Sequence, residues 1–578
     1  MIKNINDEID KFLLSLPNAE NIDIAKIKDK YSSVITDSLD KGHITTNVCM
    51  IAASEFKTNP KELAQQLVDE LEATGKFLSV ESAGPGFVNI TLQRYDFVST
   101  IDKINKKNTE FGTSTIGNNQ SIQIEFVSAN PTGPLHVGHG RGAAYGDAIA
   151  RILTSSGYKV QKEYYINDAG RQIDILTCSV FARIYEKELS QFFPKNAYKG
   201  KYIIDIANSF KAKTNSKITP ELRPLIHDLP EDEEKEIDEL TVRIKELYSD
   251  LWKDIKSHAL KEVLESIQSD LEKFNVSFDN WYSESSLGDL TDSKSKISLS
   301  IEHLKDKELA YLKDGAVWLN TEGAGDDKNR VLIRDDGRAT YFASDVAYHK
   351  DKIDRGFDKL INVWGADHHG YIKRIEASIE GLGFSKNKLS VQLVQFANLF
   401  ENGSKVKMST RSGNFYTLKQ LIDDIGPDAS RFYYLSKQAD QHLDFDIGVA
   451  RSNSKDNLYY YVQYAHARIC SVEKKYLESG GSLPNQFNDD DFDGCDELLQ
   501  MALNAQFVIK SAGENLQPHL IVYYLRDISQ SFHQFYNSVN ILNAKESEQN
   551  NIIRSLIIVK SVIASSLELL GIEPLDSM

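Results

Sequence analysis

One stretch constrains the fold of this chain more than any other, because it combines a strand, a tight loop and the start of a helix. It reads Glu125-Phe126-Val127-Ser128-Ala129-Asn130-Pro131-Thr132-Gly133-Pro134-Leu135-His136-Val137-Gly138-His139. A strand that enters a helix through a short loop holds nucleotide phosphates at the edge of open parallel sheets. The stretch therefore predicts a Rossmann-like parallel sheet that binds a nucleotide.

The residues that open this helix have side chains suited to a nucleotide. Gly138 removes a side chain where adenine or ribose must approach the backbone. His136 and His139 are three residues apart, so they share one face of a helical turn. Their imidazoles can donate hydrogen bonds to phosphate oxygens, which makes both candidate catalytic residues. The alternative, a buried histidine pair that only caps the helix, is disfavoured by the preceding Pro-Thr-Gly-Pro loop.

A second stretch far downstream, Lys407-Met408-Ser409-Thr410-Arg411, also has the character of a phosphate-handling segment. Gly403 and Gly413 flank it, which predicts a loop able to close over a ligand. Lys407 would neutralise negative charge on a phosphate group of the ligand, an effect on the order of 3 kcal/mol for one donor. Met408 would contact the same nucleotide. Without the first stretch, a solvated basic loop would be the better interpretation.

A third candidate segment follows the apolar run 360–365, which reads as a buried strand. Within it, Gly365, Asp367 and His368 are predicted to contact ribose and adenine. The Asp-His-His run also suggests a metal site, but adjacent residues on one strand point to opposite faces and make poor joint ligands. No metal site is therefore predicted in this chain.

The length of 578 residues predicts three or four domains. Mixed helix and strand signals mark residues 1–110 as a small α/β domain, with a polar connector expected over 102–119. Residues 120–425 form the Rossmann-like core, interrupted by a helical insertion near 180–275. Residues 426–578 lack strand signals and predict an all-helical bundle, so the fold class is multidomain α/β plus all-α.

The acidic run at 231–234 is predicted to open a solvated helix within the insertion. Four apolar residues at helical spacing follow it and are expected to form the buried stripe of that helix: Ile237, Leu240, Ile244 and Leu247.

The composition narrows the classes of function. The formal charge of −17 argues against a sequence-blind polyanion binder but leaves room for RNA contacts on local patches. The four cysteines are scattered, which supports neither a disulfide framework nor a zinc ribbon. No apolar stretch approaches membrane-spanning length, and the N-terminus lacks an apolar signal-peptide core, so a cytoplasmic protein is expected.

The two phosphate-handling stretches resemble the His-x-Gly-His signature and the mobile Lys-Met-Ser-Lys-Ser loop of class I aminoacyl-tRNA synthetases. The sequence departs from the second pattern at Thr410 and Arg411, and whether Arg411 replaces the second lysine stays open. Over essentially its whole length the chain resembles the bacterial-type arginyl-tRNA synthetase family. Five segments in one order carry that resemblance: 125–139, 164–172, 278–284, 341–348 and 461–468.

The family's arginine pocket, transferred by motif, implies five residues here: Glu125, Asn130, Tyr341, Asp345 and Asp367. The chemistry fits, because a guanidinium is a permanently charged fork of five donors that carboxylates and a tyrosine can recognise. The resemblance implies ATP-dependent attachment of L-arginine to tRNA(Arg) through arginyl-adenylate, with release of AMP and pyrophosphate. Magnesium is expected to accompany the phosphates of ATP.

The resemblance also implies two regions that contact tRNA. The N-terminal domain would contact the outer corner of tRNA, with Phe87 and Asn89 as candidates, although Phe87 also suits a core position. The helical C-terminal domain would bind the anticodon, with Tyr464 and Tyr536 as candidates for base stacking. The family leads us to expect a monomer.

Other functions remain as alternatives. A class I synthetase for glutamate or cysteine would share the signatures, but the acidic pocket disfavours the first and the scattered cysteines disfavour the second. A nucleotidyltransferase would hardly need so long a helical C-terminal region. A catalytically silent tRNA-binding paralogue would not need His136, His139 and Lys407 intact.

Overall fold

The computed structural model describes residues 2–36, 38–107, 113–189, 191–213, 222–401, 404–405, 416–452, 454, 456–488, 494–541 and 544–578. The chain divides into two compact units. Unit 1 comprises Met1–Ser114, Asn453–Leu569 and Glu573–Met578, and unit 2 comprises Thr115–Ser452 and Leu570–Ile572. The predicted boundary at 425 lies inside unit 2, between two of its helices.

The α-helices of the described residues are α1 (Ile2–Ser15), α2 (Ile24–Lys28), α3 (Val48–Phe56), α4 (Pro60–Ala73), α5 (Arg94–Lys107), α6 (Val137–Ser155), α7 (Arg171–Ile184), α8 (Lys201–Lys213), α9 (Arg223–Ile226), α10 (Glu233–Leu247), α11 (Ser249–Lys273), α12 (Lys296–Asp306), α13 (Tyr341–Asp354), α14 (Ile372–Gly381), α15 (Leu418–Ile425), α16 (Pro427–Tyr434), α17 (Ile447–Arg451), α18 (Leu458–Glu478), α19 (Asp496–Glu514), α20 (His519–Ser538) and α21 (Glu546–Leu569).

The β-strands are β1 (Ser33–Ile35), β2 (Ile44–Thr46), β3 (Phe77–Ala83), β4 (Phe87–Leu92), β5 (Ser121–Glu125), β6 (Lys159–Ile166), β7 (Asn280–Ser283), β8 (Ala310–Lys313), β9 (Ala316–Leu319), β10 (Arg330–Ile333), β11 (Lys359–Gly365), β12 (Leu389–Val394), β13 (Ala397–Glu401), β14 (Ser404–Lys405) and β15 (Leu443–Asp446).

Unit 2 is organised around a five-stranded sheet with the order β12-β11-β5-β6-β7. All four strand pairs are parallel, so the predicted Rossmann-like core is confirmed. The chain first proceeds from β5 to β6 and β7 on one side, and later adds β11 and β12 on the other. The strand order therefore reverses between β5 and β11. In open α/β sheets the ligand crevice lies outside the carboxyl ends of the strands at such a point.

The central strand β5 is buried more completely than its sequence predicts. An alternation of Ile122, Ile124 and Phe126 implies one buried face, yet Gln123 and Glu125 between them are buried as well. Both faces of a parallel sheet are covered by helices, which explains the difference. The buried Gln123 amide nitrogen has a partner, since it donates to Glu163 Oε1 at 2.8 Å.

The helical insertion spans α7 to α11, between β6 and β7. In α10 the predicted stripe holds for Ile237, Leu240 and Ile244, but Leu247 in the last turn is 57% exposed, so its prediction as buried is wrong. The acidic start of α10 is not simply solvated. Glu234 and Asp238 form ion pairs of 2.6 and 2.7 Å with Arg171, at the start of α7.

Two small sheets complete unit 2. Strands β8, β9 and β10 form an antiparallel sheet, inserted between β7 and α13. Strands β14, β13 and β15 form another, in which β13 pairs in parallel with β15 and antiparallel with β14. The strand β15 (Leu443–Asp446) lies in a region where the sequence carried only helical signals.

The N-terminal part of unit 1 is a four-stranded antiparallel sheet, β1-β2-β4-β3, accompanied by α1, α3 and α4. The polar connector predicted from residue 102 is wrong over its first residues, since α5 continues to Lys107. Asp102 is buried there and accepts hydrogen bonds of 2.9 and 2.8 Å from Arg554 of α21.

The C-terminal part of unit 1 is the predicted helical bundle, formed by α18, α19, α20 and α21. Helix α19 was not singled out by its sequence. It carries the buried Gln500, whose amide nitrogen donates to the carbonyl oxygens of Thr36 and His43 at 3.2 and 2.9 Å. Across the described parts of both units, no helix combines the length and apolarity needed to cross a bilayer.

Candidate active site

The two histidines of the first motif cap helix α6. His136 Nδ1 accepts a hydrogen bond from the Gly138 amide at 3.0 Å, and His139 Nδ1 accepts from the His136 amide at 3.3 Å. Their rings stack with centroids 3.7 Å apart. We refer to this pair as the histidine cap.

Both imidazoles of the histidine cap are neutral near pH 7. Burial lowers the pKa of His136, and burial together with the neighbouring ring lowers the pKa of His139 to about 3. Because each Nδ1 accepts a hydrogen bond, each ring carries its proton on Nε2. Helix capping and phosphate binding by these histidines are therefore compatible, since a capping histidine keeps an Nε2–H that can donate to a phosphate.

Two glycines of the predicted nucleotide site face the same aromatic ring. A methyl group added at Gly138 would lie 3.1 Å from the Phe396 ring, and one added at Gly365 would lie 3.7 Å from it. Phe396 is 48% exposed, in the loop between β12 and β13. No sequence pattern singles out Phe396, because only the folded sheet brings it next to both motifs.

The lysine loop itself lies outside the described residues, and with it the predictions for Lys407 and Met408. The described residues on its C-terminal side contact the first motif. The Val137 amide donates to the Tyr416 carbonyl at 3.1 Å, and the Leu418 amide donates to the Leu135 carbonyl at 2.9 Å. The segment that follows the loop is therefore attached to the start of α6.

Asp367 and His368 lie on a short 3-10 helix, Ala366–Tyr371, directly after β11. The expectation that they alternate along a strand is therefore wrong. Their side chains are 63% and 59% exposed, with His368 Nε2 3.8 Å from Asp367 Oδ2. Asp367 also turns back towards Gly365, because a methyl group there would lie 2.5 Å from Asp367 Oδ1.

Glu125 ends β5 and is already neutralised by a cation. Its Oε2 accepts a hydrogen bond from Lys352 Nζ at 2.5 Å, and both side chains are buried. Lys352 Nζ donates a second hydrogen bond to Asn362 Oδ1 at 2.9 Å. A buried carboxylate that is paired in this way leaves little charge for a ligand.

The backbone after Glu125 is strained. Val127 and Ser128 have φ values of 66° and 39°, and a β-branched residue rarely adopts such a conformation. Strain of this kind persists where surrounding contacts enforce it, often at functional sites. Here the Ser128 hydroxyl donates to Glu125 Oε1 at 3.0 Å and accepts from the Tyr165 amide at 3.1 Å.

Two other carboxyl groups lie near Glu125 without a cation bonded to them among the described residues. Burial and the charge of Glu125 raise the pKa of Asp345 to about 7, although a hydrogen bond from the Tyr371 hydroxyl opposes the shift. Burial and the charges of Asp345 and Asp168 raise the pKa of Glu284 to about 7. We call Glu125, Glu284 and Asp345 the acidic pocket.

Tyr165 lies among these carboxyl groups. Burial raises its pKa, and the charges of Glu284, Asp345 and Glu125 raise it further. The three carboxyl groups therefore converge on one place from three separate segments: the end of β5, the residue after β7, and the second turn of α13. A convergence of acidic groups in a partly desolvated crevice is a site for a cation.

Asn167 connects the acidic pocket with Asn130. When its amide nitrogen faces Glu284, it donates to Glu284 Oε2 at 2.7 Å and to the Ala169 carbonyl at 2.9 Å. Its oxygen then lies 3.2 Å from the side-chain amide of Asn130. Asn130 is thus linked to the acidic pocket through Asn167. Glu284 and Asn167 lie in segments 278–284 and 164–172, in which the sequence did not single them out.

Tyr341 opens α13 and is 61% exposed. It precedes Asp345 by four residues, so the two share one helical face. A methyl group added at Gly170 would lie 3.4 Å from the Tyr341 hydroxyl, which places that hydroxyl over the 164–172 segment. Tyr341 is thus at the outer edge of the crevice.

A second cleft of about 650 Å³ extends from the histidine cap to the helical insertion. On the insertion side it is lined by basic and aromatic residues, among them Lys195, Lys199 and Tyr202. The Tyr202 hydroxyl donates to the Thr132 carbonyl at 2.7 Å, and its ring packs where Gly133 has no side chain. The insertion therefore supports the loop that precedes the histidine cap.

The four residues predicted to contact tRNA all lie in unit 1. Phe87 and Asn89 are half-buried on one face of β4, while Val88, Ile90 and Leu92 form its buried face. Phe87 is thus outside the fully buried core of this sheet.

Tyr464 and Tyr536 lie on either side of Arg468. The Arg468 guanidinium carbon is 4.3 Å from the ring centre of Tyr464 and 4.6 Å from that of Tyr536. Arg468 Nη2 also donates to the Tyr464 hydroxyl at 2.6 Å. Such a layered arrangement of aromatic rings and a guanidinium can extend by stacking on nucleic-acid bases.

Comparison with known proteins identifies the family of each part of the chain. Residues 1–92 match the arginyl tRNA synthetase N terminal domain, and residues 100–441 match the catalytic domain of tRNA synthetases class I (R). Residues 462–578 match the DALR anticodon binding domain.

Similar proteins match over nearly the whole chain. The arginine–tRNA ligase of Thioalkalivibrio sulfidiphilus is 42% identical, over 94% of this chain and 95% of that protein. The arginine–tRNA ligase of Legionella pneumophila (strain Paris) is 41% identical, over 93% of each. The structure of Thermus thermophilus arginyl-tRNA synthetase shares the fold, with a TM-score of 0.74, 19% identity and full coverage of both chains. The chain therefore belongs to the class I arginyl-tRNA synthetases, the arginine–tRNA ligases.

Proposed function

We propose that arginyl-adenylate forms in the crevice between the carboxyl ends of β5 and β11, from ATP at the histidine cap and arginine at the acidic pocket. Membership of the arginine–tRNA ligases supplies the overall reaction, the ATP-dependent attachment of L-arginine to tRNA(Arg). The observation that carries the assignment of the site is the convergence of three carboxyl groups beside the nucleotide motif.

The charges of the neighbouring residues indicate which carboxylates of the acidic pocket would pair with arginine. Lys352 compensates Glu125, so Asp345 and Glu284 supply the charge available to a ligand. Arginine carries two cationic groups, the guanidinium and the α-ammonium, and both would be neutralised by these two carboxylates. Glu125, held by Lys352 and Ser128, would then orient the ligand rather than pair with it.

The remaining predicted arginine contacts would close the pocket. Asn130, next to Asn167, would present an amide to the polar end of the substrate. Tyr341 would cover the pocket from the outer edge, where its exposure leaves it room to move. Asp367 would contact the substrates from the loop after β11, between the arginine and nucleotide sides.

The nucleotide side is proposed to hold ATP with its adenine near Gly138, Gly365 and Phe396. His136 and His139 would donate Nε2–H groups to the phosphates, and His368 and Asp367 would contact the ribose. The lysine loop, with Lys407 and Met408, would close over the departing pyrophosphate. Attachment of the residues after the loop to the start of α6 supports this placement. Magnesium would arrive with ATP as part of the substrate.

The reaction itself needs no nucleophile from the protein. The carboxylate of arginine attacks the α-phosphorus of ATP, a bond to arginine forms and pyrophosphate leaves. A ribose hydroxyl at the 3′ end of tRNA then attacks the carbonyl carbon of the adenylate and AMP leaves. The protein would accelerate both steps by positioning the reactants and by neutralising charge on the phosphates.

The tRNA would contact residues 1–110 through Phe87 and Asn89, and residues 426–578 through Tyr464 and Tyr536. The layered Arg468 arrangement supports the second contact, since it already presents stacked planar groups. As in the resemblance set out above, we expect a cytoplasmic monomer.

The test is ATP–pyrophosphate exchange with each amino acid in turn, with and without tRNA(Arg). Arginine should be the one amino acid that supports exchange, and this exchange should require tRNA(Arg). Lys407→Ala should slow exchange with little effect on the KM for ATP. Lys405→Ala, an exposed lysine on β14, is the matched control and should leave the rate unchanged. Exchange driven by glutamate or cysteine would overturn the substrate assignment.

A further inference from the structure

A histidine, a cysteine and an aspartate, none of them given a role above, converge in unit 1. His466 and Cys470 are four residues apart on α18 and share one helical face. Asp576 lies in the C-terminal tail, residues 573–578. The ligand atoms of these three side chains all lie within 4.8 Å of one another.

The tail is held against α18 by its backbone, which fixes where Asp576 lies. Gln463 Nε2 donates to the Glu573 carbonyl at 2.7 Å, and the Leu575 amide donates to Gln463 Oε1 at 3.0 Å. His466 Nδ1 lies 2.9 Å from the Leu575 carbonyl. The position of Asp576 is therefore set by contacts of the Gln463 and His466 side chains with the backbone of the tail.

The distances match the edges of a metal tetrahedron. Cys470 Sγ is 3.7 Å from His466 Nδ1 and 3.5 Å from Asp576 Oδ1. Zinc bonds of about 2.3 Å to sulfur and about 2.0 Å to nitrogen or oxygen, at tetrahedral angles, separate the ligand atoms by roughly 3.5 Å. A single ion can thus contact all three atoms with little movement of the side chains.

The surrounding charges favour a cation. Asp576 and Glu473 bring negative charge to the cluster and Lys560 brings positive charge. Lys560 is bonded to one oxygen of Glu473, while the other, Oε1, is buried and has no hydrogen-bond partner among the described residues. Burial lowers the pKa of His466, so its ring is neutral and able to bind a metal near pH 7.

We propose that His466, Cys470 and Asp576 form a site for a divalent metal ion, with Zn²⁺ as the best match for this set of ligands. Histidine, thiolate and carboxylate ligands in tetrahedral geometry are typical of zinc. Three protein ligands leave a fourth position for water. The sequence predicted no metal site, because Asp576 is separated from Cys470 by 106 positions.

Metal binding would release one proton from Cys470 and shift another between the two ring nitrogens of His466. Burial raises the pKa of the Cys470 thiol to about 11, so the ion must displace its proton to solvent. His466 would carry its proton on Nε2 and exchange the contact with the Leu575 carbonyl for a bond from Nδ1 to the metal. One proton is released per ion bound, which makes the affinity fall as the pH is lowered. The ion would fasten the tail to the helix that carries Tyr464 and Arg468.

The test is a cobalt titration of the full-length protein after removal of metals with a chelator. Co²⁺ should produce a near-ultraviolet thiolate-to-metal charge-transfer band and visible bands of tetrahedral cobalt, saturating at one ion per chain. Zn²⁺ should abolish them by displacement. Cys470→Ser should remove the charge-transfer band, and Asp576→Asn should weaken affinity by at least the roughly 10- to 100-fold known for supporting residues around metal sites.

Matched controls separate this site from adventitious binding. Cys49→Ala removes another thiol, buried in α3, and Glu568→Gln removes an exposed acid of α21; neither should change the titration. Absence of the charge-transfer band in the wild-type protein, or its survival in Cys470→Ser, would overturn the proposal. Asp576→Asn, at an exposed position of the tail, tests it without risk to the bundle. The titration measures metal binding directly, so its outcome does not depend on whether arginine supports ATP–pyrophosphate exchange.

Discussion

Replacement of Asp345 by asparagine is the sharpest test of the acidic pocket. Asparagine keeps the size of the side chain and can still accept the hydrogen bond from Tyr371. It would, however, offer an amide nitrogen or a neutral oxygen to a cationic group of arginine. A hydrogen bond to a charged group contributes about 1.5–3 kcal/mol. The KM for arginine should therefore rise roughly 10- to 150-fold, with the KM for ATP little changed.

The pH dependence of the KM for arginine provides a second, independent test of the acidic pocket. The pKa values of Asp345 and Glu284 are both raised to about 7 in the empty site, and arginine should bind the ionised forms. The KM for arginine should therefore rise as the pH falls below about 7, by up to about tenfold per pH unit for each carboxyl that must ionise. Asp345→Asn should remove the first of these two proton dependences and move the second, that of Glu284, to lower pH, because the charge of Asp345 contributes to the raised pKa of Glu284.

Stability separates a loss of binding from a loss of fold. A raised carboxyl pKa means that the folded empty protein binds a proton that the unfolded chain has already released. Stability therefore falls as the pH rises from about 4 to about 7, and the full cost of the ionised Asp345 is present above that range. Asp345→Asn removes this cost, so its Tm at pH 8 should equal or exceed that of the wild type.

The assay is ATP–pyrophosphate exchange in the presence of tRNA, with arginine titrated at several pH values between 6 and 8. Asp354→Asn, an exposed position on the same helix, is the matched control and should behave as wild type. Citrulline, a neutral isostere of arginine, should compete relatively better in Asp345→Asn. An arginine KM within twofold of the wild type, with unchanged pH dependence, would refute the role given to this carboxylate.

Three further changes test other parts of the structure. Gly138→Ala should raise the KM for ATP, because the methyl group would lie 2.8 Å from the His136 ring and 3.1 Å from the Phe396 ring, an overpacking that costs about 1–3 kcal/mol; an unchanged KM for ATP would contradict this. Arg431→Met should lower the free energy of unfolding in urea by roughly 3 kcal/mol, since it breaks a buried 2.7 Å ion pair with Asp147 and removes the donor to the carbonyls of Leu570 and Phe274; an unchanged free energy of unfolding would contradict this. Arg468→Gln should raise the KM for tRNA without changing that for arginine, and equal effects on both would exclude a role confined to tRNA.

The sequence predicts those features of the fold that interactions between residues close together in the chain determine. The strand, loop and helix around His136 and His139 form as predicted, because turn residues, capping groups and periodicity act over a few positions. The all-helical bundle that contains α18, α20 and α21 was predicted for the same reason. The order of these segments also indicated a Rossmann-like core followed by a helical domain.

The burial of a side chain is harder to predict from the sequence where it depends on segments that are distant in the chain. The sequence placed Leu247 in the buried stripe of α10, but this last residue of the helix is exposed. Gln123 alternates with the apolar residues Ile122 and Ile124 of β5, yet it is buried as well, because helices cover both sides of the sheet. Periodicity states which residues share a face but not which faces meet another element.

The charge balance of the site was decided by tertiary structure alone. Glu125 is paired with Lys352, 227 positions away, and Glu284 joins Asp345 through the meeting of β7 and α13. The proposed metal ligands likewise meet only because the tail returns to α18. Local sequence determines which secondary structures form, because those hydrogen bonds are made within a few residues. Which charges compensate one another depends on contacts between remote segments, and those exist only once the chain has packed.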